Sequence, residues 1–211
     1  DRTTAFTVGD ISTATEVRNG SVHSCARLTE GTIRCWGYNG DGQLGDATTT
    51  SRNTPVAVLG ITTATAVTSG SFHTCALLAA GTVNCWGYNR NGQLGDSTTT
   101  TRNSPVSVTG ITTATQITGG GIHSCALLTG GTVKCWGYNG DGELGDGTNA
   151  DHNTPVSVSG LATATQVTSG GHHSCALLTG GTVKCWGNNR FGQLGDGTNI
   201  SRNSPTQVPG I

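Results

Sequence analysis

The sequence predicts an all-β protein made of β-propeller blades, and two observations support this fold class. A repeat of 50 residues runs through the 211-residue chain, because His23-Ser24-Cys25-Ala26 has counterparts at His73, His123 and His173 without insertion or deletion. Each repeat also contains four short runs of alternating or β-branched residues, which is the number of strands in one blade. No segment has a sustained helical period, so a fold of alternating strands and helices is not expected.

The third repeat contains the four predicted strands in order. They are Pro105–Val108, Ala114–Thr118, His123–Leu128 and Thr132–Trp136. The first opens with proline, as an edge strand can, and glycines separate the others. Residues 137–154 are rich in Gly, Asn, Asp and Thr, a composition typical of a loop.

We expect one domain over residues 1–211, with a four-stranded antiparallel sheet in each repeat. The predicted blades cover approximately residues 6–54, 55–104, 105–154 and 155–204, and residues 205–211 form the first strand of a further blade. Phe6-Thr7-Val8 matches the first strand of the later blades, so the last strand of the chain is surplus. Four blades leave a ring that only further blades or another chain can close. Because the chain starts at Asp1 rather than Met, we expect a processed or excised segment.

The eight cysteines form four pairs, each separated by ten residues. Pairing Leu128 with Thr132 around a turn at 129–131 places Cys125 opposite Cys135, where Cβ atoms approach closely enough for a disulfide. Each such bond closes a loop of about eleven residues and is worth roughly 3 kcal/mol in the chain-entropy model. The predicted disulfides are Cys25–Cys35, Cys75–Cys85, Cys125–Cys135 and Cys175–Cys185.

Two other interpretations of the cysteines stay open. They could be reduced thiols that pack as small hydrophobic side chains. Alternatively, His23, Cys25 and Cys35 could belong to a zinc site, although its fourth ligand is missing. Disulfides are the preferred interpretation, and they persist outside the reducing cytosol. We therefore expect the protein to be extracellular or on the cell surface.

Composition argues against several classes of partner. The formal net charge is −1, so a basic surface for nucleic acid or for an anionic membrane is not expected. No apolar run is long enough for insertion into a membrane. We also expect no cofactor and no metal ion.

A histidine and a tryptophan recur in every repeat. For the histidines we predict a structural role, with ring hydrogen bonds to the backbone between blades. A catalytic Ser–His pair is disfavoured, because the adjacent Ser or Thr points to the opposite face of the strand. The tryptophans are predicted to pack between blades, with an exposed platform for sugar as the alternative. They are Trp36, Trp86, Trp136 and Trp186.

The loops carry two acidic features. Asn39-Gly40-Asp41-Gly42 and residues 139–142 weakly resemble a calcium loop, but its first acidic ligand and closing Glu are missing. Turn formation by Asn, Asp and Gly is the preferred interpretation. A second acidic position recurs in each loop and is predicted to accept backbone hydrogen bonds there. It is occupied by Asp46, Asp96, Asp146 and Asp196.

Three repeated motifs resemble the repeat of the regulator of chromosome condensation family. They are Gly-Tyr-Asn-Gly-Asp-Gly-Glu-Leu-Gly-Asp-Gly-Thr from Gly137, His-Ser-Cys-Ala-Leu-Leu from His123, and Gly-Thr-Val-Lys-Cys-Trp-Gly from Gly131. The resemblance covers nearly the entire chain and implies a propeller, usually of seven blades, whose motif residues are structural. The family includes an exchange factor for the small GTPase Ran, whose active residues lie outside the repeat and have no match here, and a secreted β-lactamase inhibitor. The paired cysteines resemble bacterial extracellular members.

No isolated acid, base or metal cluster interrupts the repeats, so we predict that the protein is not an enzyme. The leading hypothesis is an extracellular scaffold that binds a protein partner, or its own copies through the terminal strands. A structural subunit of a head-to-tail filament or surface layer is one alternative, and a proteinaceous enzyme inhibitor is another.

Specificity is predicted to lie with positions that differ between repeats. In the loops these are Tyr38, Asp41, Arg90, Asp141, Asp151, His152, Arg190 and Phe191. Before the repeated histidine they are Val22, Phe72, Ile122 and His172. Asp41 and Asp141 alternate with Arg90 and Arg190, so neighbouring blades present opposite charges.

Overall fold

The computed structural model describes residues 7–211, which fold into four four-stranded antiparallel sheets, as predicted. Within each sheet the strands follow chain order. Blade 1 contains β1 (Ala14–Asn19), β2 (His23–Leu28), β3 (Ile33–Gly37) and β4 (Arg52–Ala57). Blade 2 contains β5 (Ala64–Ser69), β6 (His73–Leu78), β7 (Val83–Gly87) and β8 (Arg102–Ser107). Blade 3 contains β9 (Ala114–Gly119), β10 (His123–Leu128), β11 (Val133–Gly137) and β12 (His152–Ser157). Blade 4 contains β13 (Ala164–Ser169), β14 (His173–Leu178), β15 (Val183–Gly187) and β16 (Arg202–Gln207).

The blades are arranged around an axis in an open arc. The first strands of successive sheets lie next to one another, so they form the inner wall, and the fourth strands form the rim. Three hydrophobic clusters fill the three spaces between neighbouring blades. The core is therefore divided among the blade interfaces. Among residues 7–211 there is no helix long and apolar enough to cross a membrane.

The hairpin between the second and third strands sets the register of each sheet. In blade 3 the Leu128 amide donates to the Thr132 carbonyl over 2.8 Å, and the Gly131 amide donates to the Leu128 carbonyl over 3.1 Å. Gly131 has a φ of +82°, a conformation that glycine adopts without a steric cost. This turn places Cys125 opposite Cys135, as predicted.

The division of the repeats into blades differs from the predicted one. The strand expected to open blade 3, Pro105–Val108, belongs to β8, which pairs with β7 as the rim strand of blade 2. The 50-residue period fixes the repeat but does not determine where a sheet begins. The predicted boundary between residues 104 and 105 falls inside β8, whereas the chain crosses to the next blade through the segment 108–113.

This change of boundary removes the surplus strand at the end of the chain. Residues 205–207 lie in β16, which pairs with β15 and completes blade 4. At the other end, Phe6 lies outside the described residues, and Thr7 and Val8 are in no strand. Association through an unpaired terminal strand is therefore not supported.

Candidate functional site

All eight cysteines form the four predicted disulfides. The bonds join Cys25 to Cys35, Cys75 to Cys85, Cys125 to Cys135 and Cys175 to Cys185, with Cα atoms 4.1 Å apart in each pair. Three of the bonds are buried beneath the following blade, whereas Cys175 is half-buried because no blade covers it among residues 7–211. These bonds rule out free thiols and a thiolate zinc site. No group of three or more His, Cys, Asp or Glu residues in 7–211 could hold a metal ion.

The repeated histidines connect neighbouring blades, but their partners are hydroxyl groups and not the predicted backbone atoms. The ring Nε2 lies 2.8 Å from a hydroxyl oxygen of the next blade at each interface. The pairs are His23 with Thr74, His73 with Ser124, and His123 with Ser174. The hydroxyl does point to the opposite face of its own strand, and this orientation directs it at the histidine of the preceding blade.

The hydrogen bonds of the His73–Ser124 pair show which ring nitrogen of the histidine carries the proton. The Ser124 hydroxyl uses its one donor hydrogen in a 3.0 Å hydrogen bond to the Gln93 carbonyl. Towards His73 it can therefore only accept a hydrogen bond. Nε2 of His73 therefore carries the proton. Burial lowers the pKa of His73 to about 3, with a smaller contribution from the charge of His23. A histidine that donates to the serine cannot take its proton, so this contact is structural.

The tryptophans pack between blades, as predicted. Trp86, Trp136 and Trp186 are fully buried, and each indole Nε1 donates over 2.9 Å to a carbonyl in the loop of the preceding blade. A glycine in that loop makes the close approach possible: a Cβ at Gly45 would lie 2.8 Å from Nε1 of Trp86. Trp36, which no blade precedes among residues 7–211, is only half-buried.

A buried asparagine that the sequence analysis did not single out organises each long loop. The side chain of Asn39 donates to Asp46 and to two loop carbonyls, and its Oδ1 accepts from the Leu44 amide. Asp46 accepts from the Thr48 amide, as predicted, and pairs with Arg52 at 2.9 Å. The recurrence of this residue as Asn39, Asn89, Asn139 and Asn189 was the available signal.

Several loop residues proposed for binding have structural partners. Asp151 accepts from the Asn139 amide over 2.8 Å and from the Asn91 side chain over 2.9 Å. His152 replaces the arginine of the other repeats, and its Nε2 lies 3.2 Å from Oδ2 of Asp146. These two residues therefore help to hold the loops together.

The predicted alternation of charge corresponds to one ion pair between neighbouring blades, that of blades 3 and 4. A guanidinium nitrogen of Arg190 lies 3.8 Å from Asp141, which also accepts from Asn188 over 2.6 Å. Asp41 and Arg90, the corresponding residues of blades 1 and 2, do not form an ion pair within 4.0 Å in the described structure. Asp141 shows that this loop position reaches the loop of the following blade.

Glu143 is the one buried carboxylate among four otherwise equivalent positions. Gln43, Gln93 and Gln193 occupy the other three, and Glu143 is fully buried. Its Oε2 accepts from the Asp141 amide over 2.9 Å, and its Oε1 lies 3.5 Å from Nδ1 of His172. Burial raises the pKa of Glu143. His172 likewise replaces an apolar residue of the other repeats, so the two departures from the repeat meet at one place.

Variable residues line one face of the arc. The loop residue after each third strand donates its amide to the carbonyl of the residue before the repeated histidine, which pairs the two positions in space. The T-shaped contact of Tyr138 with His172, at 6.2 Å between ring centroids, continues this arrangement from blade 3 to blade 4. We call the set the turn–loop row. Its four pairs are Val22 with Tyr38, Phe72 with Tyr88, Ile122 with Tyr138, and His172 with Asn188.

Comparison with known families agrees with the repeat and with the fold. The model of the regulator of chromosome condensation (RCC1) repeat matches residues 30–77, 80–127, 130–177 and 180–211. The chain belongs to the RCC1 repeat family. A second model of the same repeat matches residues 64–93, 114–143 and 164–193. No curated protein sequence matches the chain significantly.

Solved structures resemble this RCC1-repeat arc over most of its length. Human WBSCR16 is 26% identical with a TM-score of 0.86, and the match covers 95% of this chain and 54% of that protein. Yeast RCC1 (Prp20) bound to Kap60 is 21% identical with a TM-score of 0.84, covering 95% and 50%. The ectodomain of the Physcomitrella patens receptor kinase CR4 is 26% identical with a TM-score of 0.57, covering 86% and 42%. This RCC1-repeat chain therefore spans about half the length of the structures that it matches.

Proposed function

We propose that this RCC1-repeat chain is an extracellular, non-enzymatic scaffold that binds a protein partner through the turn–loop row. The observation that carries the proposal is the separation of constant and variable positions. Gly, His, Cys and Trp build every blade in the same way, whereas the residue before the repeated histidine differs in every blade and its loop partner is tyrosine in three blades and asparagine in the fourth. Val22, Tyr38 and Phe72 of the row are exposed. Aromatic side chains are enriched at the centres of protein interfaces.

Two further observations support parts of this proposal. Four disulfides suit an oxidising compartment, and the CR4 structure is the ectodomain of a receptor kinase. Yeast RCC1, a protein of this fold, is bound to a protein partner, Kap60, in one of the solved structures. The hydrogen-bonded state of the buried histidines favours a binding role over catalysis.

The test compares proteins captured on the purified chain from the extracellular fraction of its source. Phe72→Ser changes the row, whereas Leu59→Ser removes a more exposed aliphatic side chain from a segment between blades. We expect a protein that is retained by the wild type and by Leu59→Ser but lost with Phe72→Ser. That protein, once purified, should bind with the same pattern in calorimetry. Equal retention by all three chains would refute binding through the row.

A structural subunit of a head-to-tail assembly is the second candidate function. It is favoured by the complementary faces of the two end blades.

A further inference from the structure

Glu143 leaves one buried oxygen without a hydrogen-bond partner. In all four repeats the side chain at this position accepts a hydrogen bond from the amide two residues earlier, and Glu143 uses its Oε2 for this bond. Its other oxygen, Oε1, is buried and has no hydrogen-bond partner among residues 7–211. A buried carboxylate is unfavourable unless a positive group or hydrogen bonds compensate it. The group that this oxygen lacks is therefore a cationic donor.

The interfaces of the earlier blades have the opposite chemistry at this place. Nε2 of Gln43 and Nε2 of Gln93 are also buried without a partner, but an amide nitrogen is a neutral donor. In blade 4, Nε2 of Gln193 donates to Asn188 of the same blade over 2.8 Å. Glu143 therefore converts an unused neutral donor into an unused charged acceptor at the interface of blades 3 and 4.

A second carboxylate, that of Asp141, lies on the same loop. Its Oδ2 accepts from Asn188 over 2.6 Å, whereas its Oδ1 lies 3.8 Å from a guanidinium nitrogen of Arg190, beyond hydrogen-bonding distance. Oε1 of Glu143 has a similar relationship with Nδ1 of His172, at 3.5 Å. The side chains of His172 and Arg190 are 54% and 74% exposed. Both exposed side chains can therefore turn away and leave their carboxylates to another cation.

Tyr138 adds an aromatic wall beside the two carboxylates. Its half-buried ring meets the ring of His172 edge to face, with 6.2 Å between the centroids. Burial raises the pKa of Tyr138. Nearby carboxylates, led by that of Glu143, raise this pKa further, and the opposing effect of Arg190 is smaller. The surroundings of the ring thus carry a net negative potential, which adds to the attraction of an aromatic face for cations.

We infer that four residues between blades 3 and 4 form a binding site for the guanidinium group of a partner's arginine side chain: Tyr138, Asp141, Glu143 and His172. We call this set the arginine site. A guanidinium is planar, always charged and carries five N–H donors. It can donate to Oε1 of Glu143 and Oδ1 of Asp141 and stack on an aromatic ring. The inference rests on the proposed function, because it names the chemistry of the partner at one end of the turn–loop row.

Titration of the native, disulfide-bonded chain with N-acetylarginine amide tests the site directly. In amide NMR spectra we expect saturable shifts for Asp141, Glu143 and His172. N-acetylcitrulline amide, which has nearly the same shape but no charge, should cause none. The equivalent amides of blades 1 and 2 are the internal control and should not shift, because a glutamine replaces the buried glutamate there. They are those of Asp41, Gln43 and Phe72.

Glu143→Gln is the matched variant, because it restores the residue of the other repeats. It should weaken arginine binding at least about tenfold, since a hydrogen bond to a charged group is lost. Circular dichroism and the absence of free thiols establish that the variant is folded. The inference is overturned by the absence of shifts with arginine, by equal shifts with citrulline or in blades 1 and 2, or by equal affinity of Glu143→Gln.

Transfer of the two unusual residues to blades 1 and 2 tests the site by gain of binding. Tyr38 and Asp41 already occupy the equivalent positions there, so Gln43→Glu combined with Phe72→His completes the set. We expect a second arginine site, seen as new saturable shifts of the Asp41 amide. A folded double variant without these shifts would contradict the assignment of the four residues.

This inference and the proposed function can fail separately. The titration needs no natural partner, so a failure of arginine binding leaves the capture experiment with Phe72→Ser intact. Equal retention of proteins by the wild type and Phe72→Ser would refute binding through the row, whatever the titration shows. A partner captured through the row should bind Glu143→Gln at least about tenfold more weakly than the wild type.

Discussion

Nε2 of His73 donates to the hydroxyl of Ser124 across the interface of blades 2 and 3, over 2.8 Å. Both groups are buried, and the hydroxyl donates a hydrogen bond of its own to the Gln93 carbonyl. Three buried polar groups are thus satisfied by one another where two sheets meet. Because a buried group without a partner costs free energy, this chain of hydrogen bonds holds neighbouring blades in one relative position.

Removing the hydroxyl should destabilise the arc. Ser124→Ala leaves the His73 donor without an acceptor, so we expect the free energy of unfolding to fall by about 1–3 kcal/mol. Ser24→Ala is the matched control, because Ser24 has the same repeat position but no preceding blade, and its effect should be small. Urea unfolding followed by circular dichroism measures both. Equal losses for the two variants would contradict this account of the interface.

Mild acid should destabilise the protein through the buried histidines. Burial lowers the pKa of His23 to about 4 and those of His73 and His123 to about 3, whereas in the unfolded chain they titrate near 6.5. The contribution of these neutral histidines to the free energy of unfolding is complete above pH 6.5. It is lost as the pH falls from 6.5 towards their pKa values in the folded protein. Each histidine should cost about 1.4 kcal/mol per pH unit within this window.

The free energy of unfolding measured between pH 6.5 and 5 tests this dependence. His73→Gln removes one of these groups, so the slope against pH should decrease. A profile that is flat above pH 5 in the wild type would contradict it.

Glycine beside the histidine ring should resist substitution. A Cβ at Gly120 would lie 2.1 Å from Cε1 of His123, and neither the buried ring nor the sheet has room to move. Overpacking of this kind costs about 1–3 kcal/mol, so Gly120→Ala should lower the melting temperature. Gly171→Ala is the control, because nothing lies within 4 Å of its Cβ position. Similar melting temperatures for both variants would show that the interface is looser than the structure indicates.

The disulfides should differ in their access to reductant. Cys175 is half-buried, while the other three bonds lie beneath a following blade. Limited reduction and alkylation of the chain should label Cys175 and Cys185 before any other pair. Peptide mass spectrometry gives the order. Random labelling of all four pairs would contradict the arrangement of the blades, and free thiols in the native protein would contradict the disulfides.

Replacing the buried carboxylate should stabilise the protein at neutral pH. Burial raises the pKa of Glu143 above its ordinary value, so its contribution is complete below that value and is lost as the pH rises through the raised pKa. Glu143→Gln restores the residue of the other repeats and should raise the free energy of unfolding at pH 7 by about 1 kcal/mol. In the His172→Ile background, which removes the nearby imidazole, the gain should be larger. A loss of stability in both backgrounds would show that the carboxylate is a favourable partner of His172.

The sequence by itself determined the strands, the hairpin register and the four disulfides. These features depend on contacts within about ten residues, such as Cys125 with Cys135, and the repeat displays each of them four times. The tertiary structure alone decided that β8 completes blade 2, that a hydroxyl receives His73, and that Glu143 meets His172. Those contacts join residues 15 to 51 positions apart. A regular period leaves such pairings undetermined, because every repeat offers the same groups and only the packing of one sheet on the next selects which of them meet.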